Sequence, residues 1–252
     1  MPKILAIACQ KGGVGKTTTA INLAYGLAQL GRRLLLCDMD PQSSLTQAAG
    51  IDPDRGSLAD VLGGAYPGRL TLPEIIQPMA PGVDLAPAAL DLANCELGLT
   101  SRLGREAVLK KALAGLKGYD LVILDCGPSL GLLVINALAA ADGVLAPVVP
   151  DALGLRGLAL FLSSLESIRA DLNPGVSVLG AVVCQYDRRL NLHKAALDEL
   201  KAGGVPILAV IGKSIKAASS AGRGQPIISG DLADQYQVLS GEINKWLKKT
   251  VN

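Results

Sequence analysis

The chain has 252 residues, half of them apolar, with 24 basic and 22 acidic side chains and a formal charge of +2. That size allows one large α/β domain, and with a single Phe and a single Trp its core must be aliphatic. No apolar run is long enough to span a bilayer, no secretory leader precedes the first strand, and the five scattered cysteines (Cys9, Cys37, Cys95, Cys126, Cys184) contain no Cys-x-x-Cys pair, which excludes zinc-ribbon and iron–sulfur chemistry and predicts a cytoplasmic protein with reduced core thiols.

In chain order, apolar β-branched runs predict strands near 3–9, 33–38, 83–86, 121–125, 143–149, 177–184 and 205–211. Helical periodicity predicts helices over 17–30, 105–116, 130–140, 155–171, 192–202 and 232–249, and a short one near 58–62 within a Pro- and Gly-rich excursion over 50–82. Strand and helix in alternation mean right-handed crossovers. The expected fold is α/β, doubly wound, with a mainly parallel sheet of about seven strands and helices on both faces, in one P-loop NTPase domain over 1–252. Ligands of such sheets sit beyond the carboxyl ends of the strands.

The first crossover carries the chemistry. Between strand and helix stands Gln10-Lys11-Gly12-Gly13-Val14-Gly15-Lys16-Thr17-Thr18. Glycines let backbone N–H groups approach phosphate oxygens, and the following helix points its positive dipole end at the same place. Lys16 would place a charge between the β- and γ-phosphates, and the Thr17 hydroxyl would ligate Mg²⁺. The strict P-loop pattern asks for Gly where this chain has Gln10, and a second lysine, Lys11, precedes the paired glycines. A glycine turn with an incidental Lys-Thr is the bland alternative; strand and helix sitting where the motif requires them argue against it.

Two later strand ends bring carboxylates. The run 121–124 ends in Asp125-Cys126-Gly127-Pro128, which puts Asp125 at the sheet edge as a metal holder, through water, and offers a Gly127 N–H near the γ-phosphate. The second strand ends Asp38-Met39-Asp40-Pro41-Gln42, and alternation places Asp38 and Asp40 on one side. Asp40 is expected to orient water, and Asp38 to serve structure or a magnesium-bound water. Each could instead be a simple turn or cap residue.

Lys11-Gly12-Gly13-Val14-Gly15-Lys16-Thr17-Thr18 resembles the deviant Walker A box of the ParA/MinD group of ATPases; Asp38 to Gln42, Leu124 to Ser129 and the helix Leu130 to Leu138 resemble the boxes that follow it. The similarity covers nearly the whole chain and is strongest to the ParA-type (Soj-like) partition ATPases. It implies ATP and Mg²⁺ as cofactors, an ATP-dependent sandwich homodimer with slow turnover, and contacts to nucleotide from residues 11 to 18. Lys11 would cross to the partner's phosphates, and Gly12 would lie at the seam, where a side chain should clash.

The resemblance further implies non-specific binding of double-stranded DNA by the dimer, nucleoid association, and a ParB-like partner that stimulates hydrolysis. Such binding requires cations that neutralise phosphates. Residues 185–225 hold seven basic against three acidic side chains, a local excess of +4 that is larger than the charge of the whole chain. Arg188, Arg189, Lys213, Lys216 and Arg223 are the expected DNA contacts. The stretch Ile211-Gly212-Lys213-Ser214-Ile215-Lys216 is similar to a family segment with Pro and Asn on the adenine side and two arginines. Here Gly212 and Ser214 take the adenine-side positions, and Lys213 and Lys216 keep the charge. His193 is expected to be a helix-surface residue. The chain opens directly at the first strand, so no N-terminal DNA-reading extension is expected.

Three rivals remain at this level. A MinD-like ATPase positioning cell machinery would insert a C-terminal amphipathic helix into lipid, and Leu239, Ile243, Trp246 and Leu247 share one face beside Lys245, Lys248 and Lys249. A helix docked on the core looks the same in sequence, so membrane contact is not the expectation. A metabolic enzyme of the same loop class, such as a synthetase, needs a substrate pocket that sequence does not exclude. A scaffold could bind nucleotide for dimerisation alone.

Overall fold

In the computed structural model, residues 1–214 and 222–249 are described. The strands are β1 (Lys3–Ile7), β2 (Leu34–Met39), β3 (Gln77–Ala80), β4 (Val83–Ala86), β5 (Leu121–Cys126), β6 (Gly143–Val148), β7 (Ser177–Tyr186) and β8 (Ile207–Gly212). They form one sheet in the order β3-β4-β2-β5-β1-β6-β7-β8. All pairings are parallel except β3 with β4. Seven strands match the sequence-based expectation. The eighth, β3, was missed because Pro78 makes the run read as loop; only an edge strand tolerates a residue without an N–H, and β3 is an edge.

The helices are α1 (Lys16–Gln29), α2 (Ser44–Ala49), α3 (Leu58–Leu62), α4 (Leu72–Ile75), α5 (Leu92–Leu99), α6 (Val108–Leu113), α7 (Leu132–Ala140), α8 (Ala152–Asp171), α9 (Asn191–Ala202) and, in the C-terminal region, α10 (Asp231–Lys249). α2, α4 and α5 went unpredicted because runs of four to eight residues are too short to show a helical period. The stretch 105–116 is a 3₁₀ turn over Arg105–Ala107 running into α6, shorter than the periodicity suggested.

Alternation along the central strands builds two cores. Leu35 and Cys37 of β2, with Val122 and Leu124 of β5, face α7 and the helices of the excursion. Leu34, Leu36, Leu121 and Ile123 face α1 and α10. Both layers are aliphatic, as expected, and Phe161 is fully buried in the first. Leu239, Ile243 and Leu247 of α10 are buried in the second core. Removing that face from the core to embed it in lipid would expose α1, so the amphipathic pattern here belongs to docking. Among the described residues, no helix is long and apolar enough to cross a membrane.

Candidate functional site

The parallel sheet delivers the ends of β1, β2, β5, β7 and β8 to one edge, where a cleft of about 680 Å³ opens between Gly12, Lys16, Asp40, Pro128, Gln185 and Tyr236. Residues 8–15 connect β1 to α1. Gly13 and Gly15 have φ of 70° and 94°, a region that disfavours L side chains, so the loop can turn its backbone inward. A Cβ at Gly15 would also sit 3.6 Å from the Cys184 sulfur. A Cβ at Gly12 would meet nothing within 4 Å, so the clash expected there is not one the chain makes with itself. Val14 is buried as an anchor beneath the loop. Thr17 and Thr18 line the cleft, and the Thr18 carbonyl accepts from Asn22 Nδ2.

The two lysines behave differently. Lys16, 8 % exposed, leads α1, and its ammonium donates to the Lys11 carbonyl at 3.1 Å, across the mouth of the loop. Lys11 turns the other way. Its ammonium donates to both carboxylate oxygens of Asp151, at 3.0 and 3.1 Å. Asp151 caps α8 through the Gly154 N–H at 2.6 Å. Burial pushes the Asp151 carboxyl up, but the Gly154 N–H and the Lys11 ammonium outweigh it and hold it below its usual value. Asp151 was not singled out from sequence; its only signal was an Asp at a helix start, which reads as a cap.

The carboxylates divide by environment. Asp38 is fully buried; its oxygens accept from the Asp40 N–H (3.3 Å), the Thr46 N–H (2.9 Å) and the Thr46 hydroxyl (2.7 Å). The Thr46 hydroxyl in turn accepts from the Ala88 N–H, so Asp38 pins the loop between β2 and α2 to the end of β4. Burial raises its pKa to about 6 against those hydrogen bonds. Of the two roles expected for Asp38, these contacts supply the structural one. Asp40 borders the cleft, accepts from the Gln42 N–H at 3.0 Å, and lies over Gly127, where an added Cβ would stand 3.4 Å from its carboxyl carbon.

Asp125 is the penultimate residue of β5, opposite Asp38 in the register, and is 1 % exposed. Burial and then the Asp38 charge raise its pKa to about 8, with Thr17 hydrogen bonding and the Lys16 charge opposing. Its Oδ1 is buried with no hydrogen-bond partner among the described residues. A buried, unpaired carboxylate oxygen is costly unless a cation or its water completes it. Asp125 and Thr17 thus fit a magnesium ion carried in with phosphates. Among the described residues no group of three or more acidic, His or Cys side chains could hold a metal unaided.

The wall beside β8 is fixed through its backbone amides. The Gly212 N–H donates to Gln235 Oε1 at 2.8 Å and the Lys213 N–H to the Tyr186 carbonyl at 2.9 Å, so both amides are engaged within the chain. Gly212, Lys213 and Ser214 all line the main cleft. Gln185, also missed from sequence, is the penultimate residue of β7 and donates to the Gly13 carbonyl of the phosphate loop at 2.7 Å.

A second cleft of about 680 Å³ adjoins the first and gathers Arg188, Arg189 and Lys213 with Asp187 and Asp231. Arg189 is held by both oxygens of Asp187, at 2.9 and 2.7 Å. His193 is more than a surface residue: its Nδ1 accepts from the Asp187 N–H at 3.0 Å. Arg223 is exposed and is not among the residues lining this cleft. Lys216 lies outside the described residues.

A family model described as an AAA domain matches residues 2–178. The chain is 41 % identical over 225 residues to the chromosome-partitioning ATPase Soj of Thermus thermophilus, covering 88 % of this chain and 86 % of that one. It is 38 % identical over 237 residues to the chromosome partitioning protein ParA of Caulobacter vibrioides, covering 91 % and 88 %. Among solved structures, cobyrinic acid a,c-diamide synthase from Mycobacterium smegmatis, with a bound ATP analogue and magnesium, superposes with a TM-score of 0.85 at 36 % identity, covering 98 % of this chain and 96 % of that one.

Proposed function

We propose, for a chain that belongs to the ParA/Soj/MinD family of deviant Walker A ATPases, the reaction cycle of a DNA partition switch. The protein is an ATP-binding, magnesium-dependent ATPase. ATP enters the cleft with its phosphates in the loop over 11–18 and Lys16 between the β- and γ-phosphates. Thr17 and Asp125 hold Mg²⁺, which neutralises phosphate charge when bound. Asp40, over Gly127, orients the attacking water. Because transfer goes to water, catalysis is positioning plus charge neutralisation. The observation that carries this reading is the buried, unpartnered Asp125 oxygen near Thr17 and Lys16, a position suited to a cation that arrives with a phosphate ligand.

Loading then lets Lys11 exchange Asp151 for the phosphates of a second copy, which makes a sandwich homodimer. The dimer presents Arg188, Arg189 and Lys213 to the phosphates of double-stranded DNA, with Lys216 and Arg223 as further contacts. A ParB-like partner stimulates hydrolysis and resets the switch, with nucleoid DNA as its place of work. Binding to DNA and to anionic vesicles, compared with ATP, ADP and no nucleotide, tests this reading. DNA retention with ATP only is expected; vesicle pelleting, or no nucleotide dependence, would overturn it.

Amide synthesis is the second reading, raised by the 36 % identical synthase. If glutamine supplied the nitrogen, a nucleophilic thiolate would be needed. All five cysteines are buried, and burial pushes the thiols of Cys37, Cys95, Cys126 and Cys184 upward, Cys184 to about 12. That is the environment of inert core thiols, and it favours the partition switch.

A further inference from the structure

Gln185 is one of two non-glycine residues with positive φ (57°) among the described residues, and it stands where β7 leaves its regular register with β8. A left-handed glutamine is disfavoured and persists where surrounding contacts require it. The contact here is the 2.7 Å bond from Nε2 to the Gly13 carbonyl, which joins two segments 172 residues apart. Gly13 is itself left-handed, so this bond holds a loop that side-chain sterics alone do not. The next residue, Tyr186, accepts from the Lys213 N–H, so Gln185 sits between the phosphate loop and the wall over 211–214.

We infer that Gln185 is a positioning residue that ties the phosphate loop to the base-side wall of the cleft and thereby sets ATP affinity. The inference rests on the assignment of that cleft to ATP. Without the tether the loop must be ordered by the nucleotide itself, and the cost falls on binding rather than on the chemical step.

Calorimetry with Mg·ATP on three variants tests it. Gln185→Met keeps length and removes the donor; affinity should fall about five- to ten-fold, the factor of one net hydrogen bond, with saturated turnover within about two-fold of wild type. Gln185→Lys restores a donor and adds a charge beside the phosphates, so it should bind at least as tightly as wild type. Gln185→Gly relieves the backbone and loses the tether, so it should match the Met variant even if the latter folds poorly. Equal affinity in the wild type and the Met variant overturns the inference, as does a Lys variant as weak as Met. A fall in the nucleotide-free melting temperature that tracks affinity across the three does so too. A wild-type protein that binds no ATP would instead overturn the reading of the cleft.

Discussion

Lys11 and Asp151 form a two-pronged ion pair within one chain, the ammonium 3.0 and 3.1 Å from the two carboxylate oxygens. The side chains are 30 % and 34 % exposed, so water screens the pair and its worth is modest, roughly 0–1 kcal/mol. A polyphosphate can therefore compete for Lys11. The lysine proposed to bridge two copies is paired within its own chain in this structure.

Asp151→Asn should loosen that storage while keeping the cap on α8, because Asn caps as well as Asp. ATP-dependent dimerisation should shift to about two- to five-fold lower protein concentration by light scattering. Lys11→Ala should abolish the dimer and leave ATP affinity within a few-fold. A Lys11→Ala variant that dimerises normally would remove the bridging role.

Lys16→Ala should weaken Mg·ATP binding by about two orders of magnitude or more, because a mostly buried ammonium facing phosphates is worth several kcal/mol. Calorimetry reads this directly, and unchanged affinity would contradict the loop assignment. Asp40→Ala should bind ATP and dimerise but turn over at least about 100-fold more slowly, which a phosphate-release assay reads. Retained turnover would take the water-orienting role from Asp40.

Asp125 ties stability to pH in the absence of magnesium. Its folded pKa of about 8 lies above the usual carboxylate value, so between roughly pH 4 and 8 the folded state binds more protons than the unfolded one. Stability therefore falls as pH rises through that window, and Asp38, raised to about 6, adds to the fall over its lower part. In EDTA, Asp125→Asn should melt a few degrees above wild type at pH 8, about 1–3 kcal/mol, and the gain should shrink toward pH 4. The same variant should bind Mg·ATP more weakly. A variant less stable than wild type at pH 8 would refute the account of a strained carboxylate.

Arg188→Glu with Lys213→Glu should weaken DNA binding of the ATP-loaded protein and flatten the log–log salt slope by about two. Asp187→Asn, which frees Arg189 from its bidentate partner, should strengthen binding. Unaltered gel shifts in the double variant would move the DNA surface elsewhere.

Anionic vesicles should not retain the ATP-loaded protein, because Leu239, Ile243 and Leu247 are already buried against α1. Ile243→Asp should instead unfold or strongly destabilise the domain, by about 3 kcal/mol or more, as burial of an unpaired charge does. Vesicle pelleting by a stably folded wild type would revive the membrane rival.

Most of the nucleotide cleft was legible in the chain because its parts are local. A strand, a glycine loop and a Lys-Thr helix start are consecutive residues, the alternation that paired Asp38 with Asp40 needs only a two-residue period, and Asp125 stands at the end of an apolar run. The parallel pairing of the strands followed from the crossovers; their order in the sheet was not predicted, and Pro78 hid the edge strand. Short helices such as α2 hold too few turns to show a face. Gly12, Gly13, Gly15 to Thr18, Asp40, Gly212 and Ser214 line one cleft, whereas Lys11 turns to Asp151 and Arg223 is not among the residues lining the basic cleft.

The sequence by itself determined the phosphate loop, the parallel sheet and the aliphatic two-layer core, because propensity, period and loop chemistry act between neighbours along the chain. Only the tertiary structure decided which distant polar groups meet. Lys11 meets Asp151 across 140 residues and Gln185 meets Gly13 across 172. The same holds for α10, whose apolar face has the same pattern whether it covers α1 or lipid. Hydrogen bonds and ion pairs are made at about 3 Å in space, and no periodicity in a single chain encodes which distant partner the fold brings to that distance.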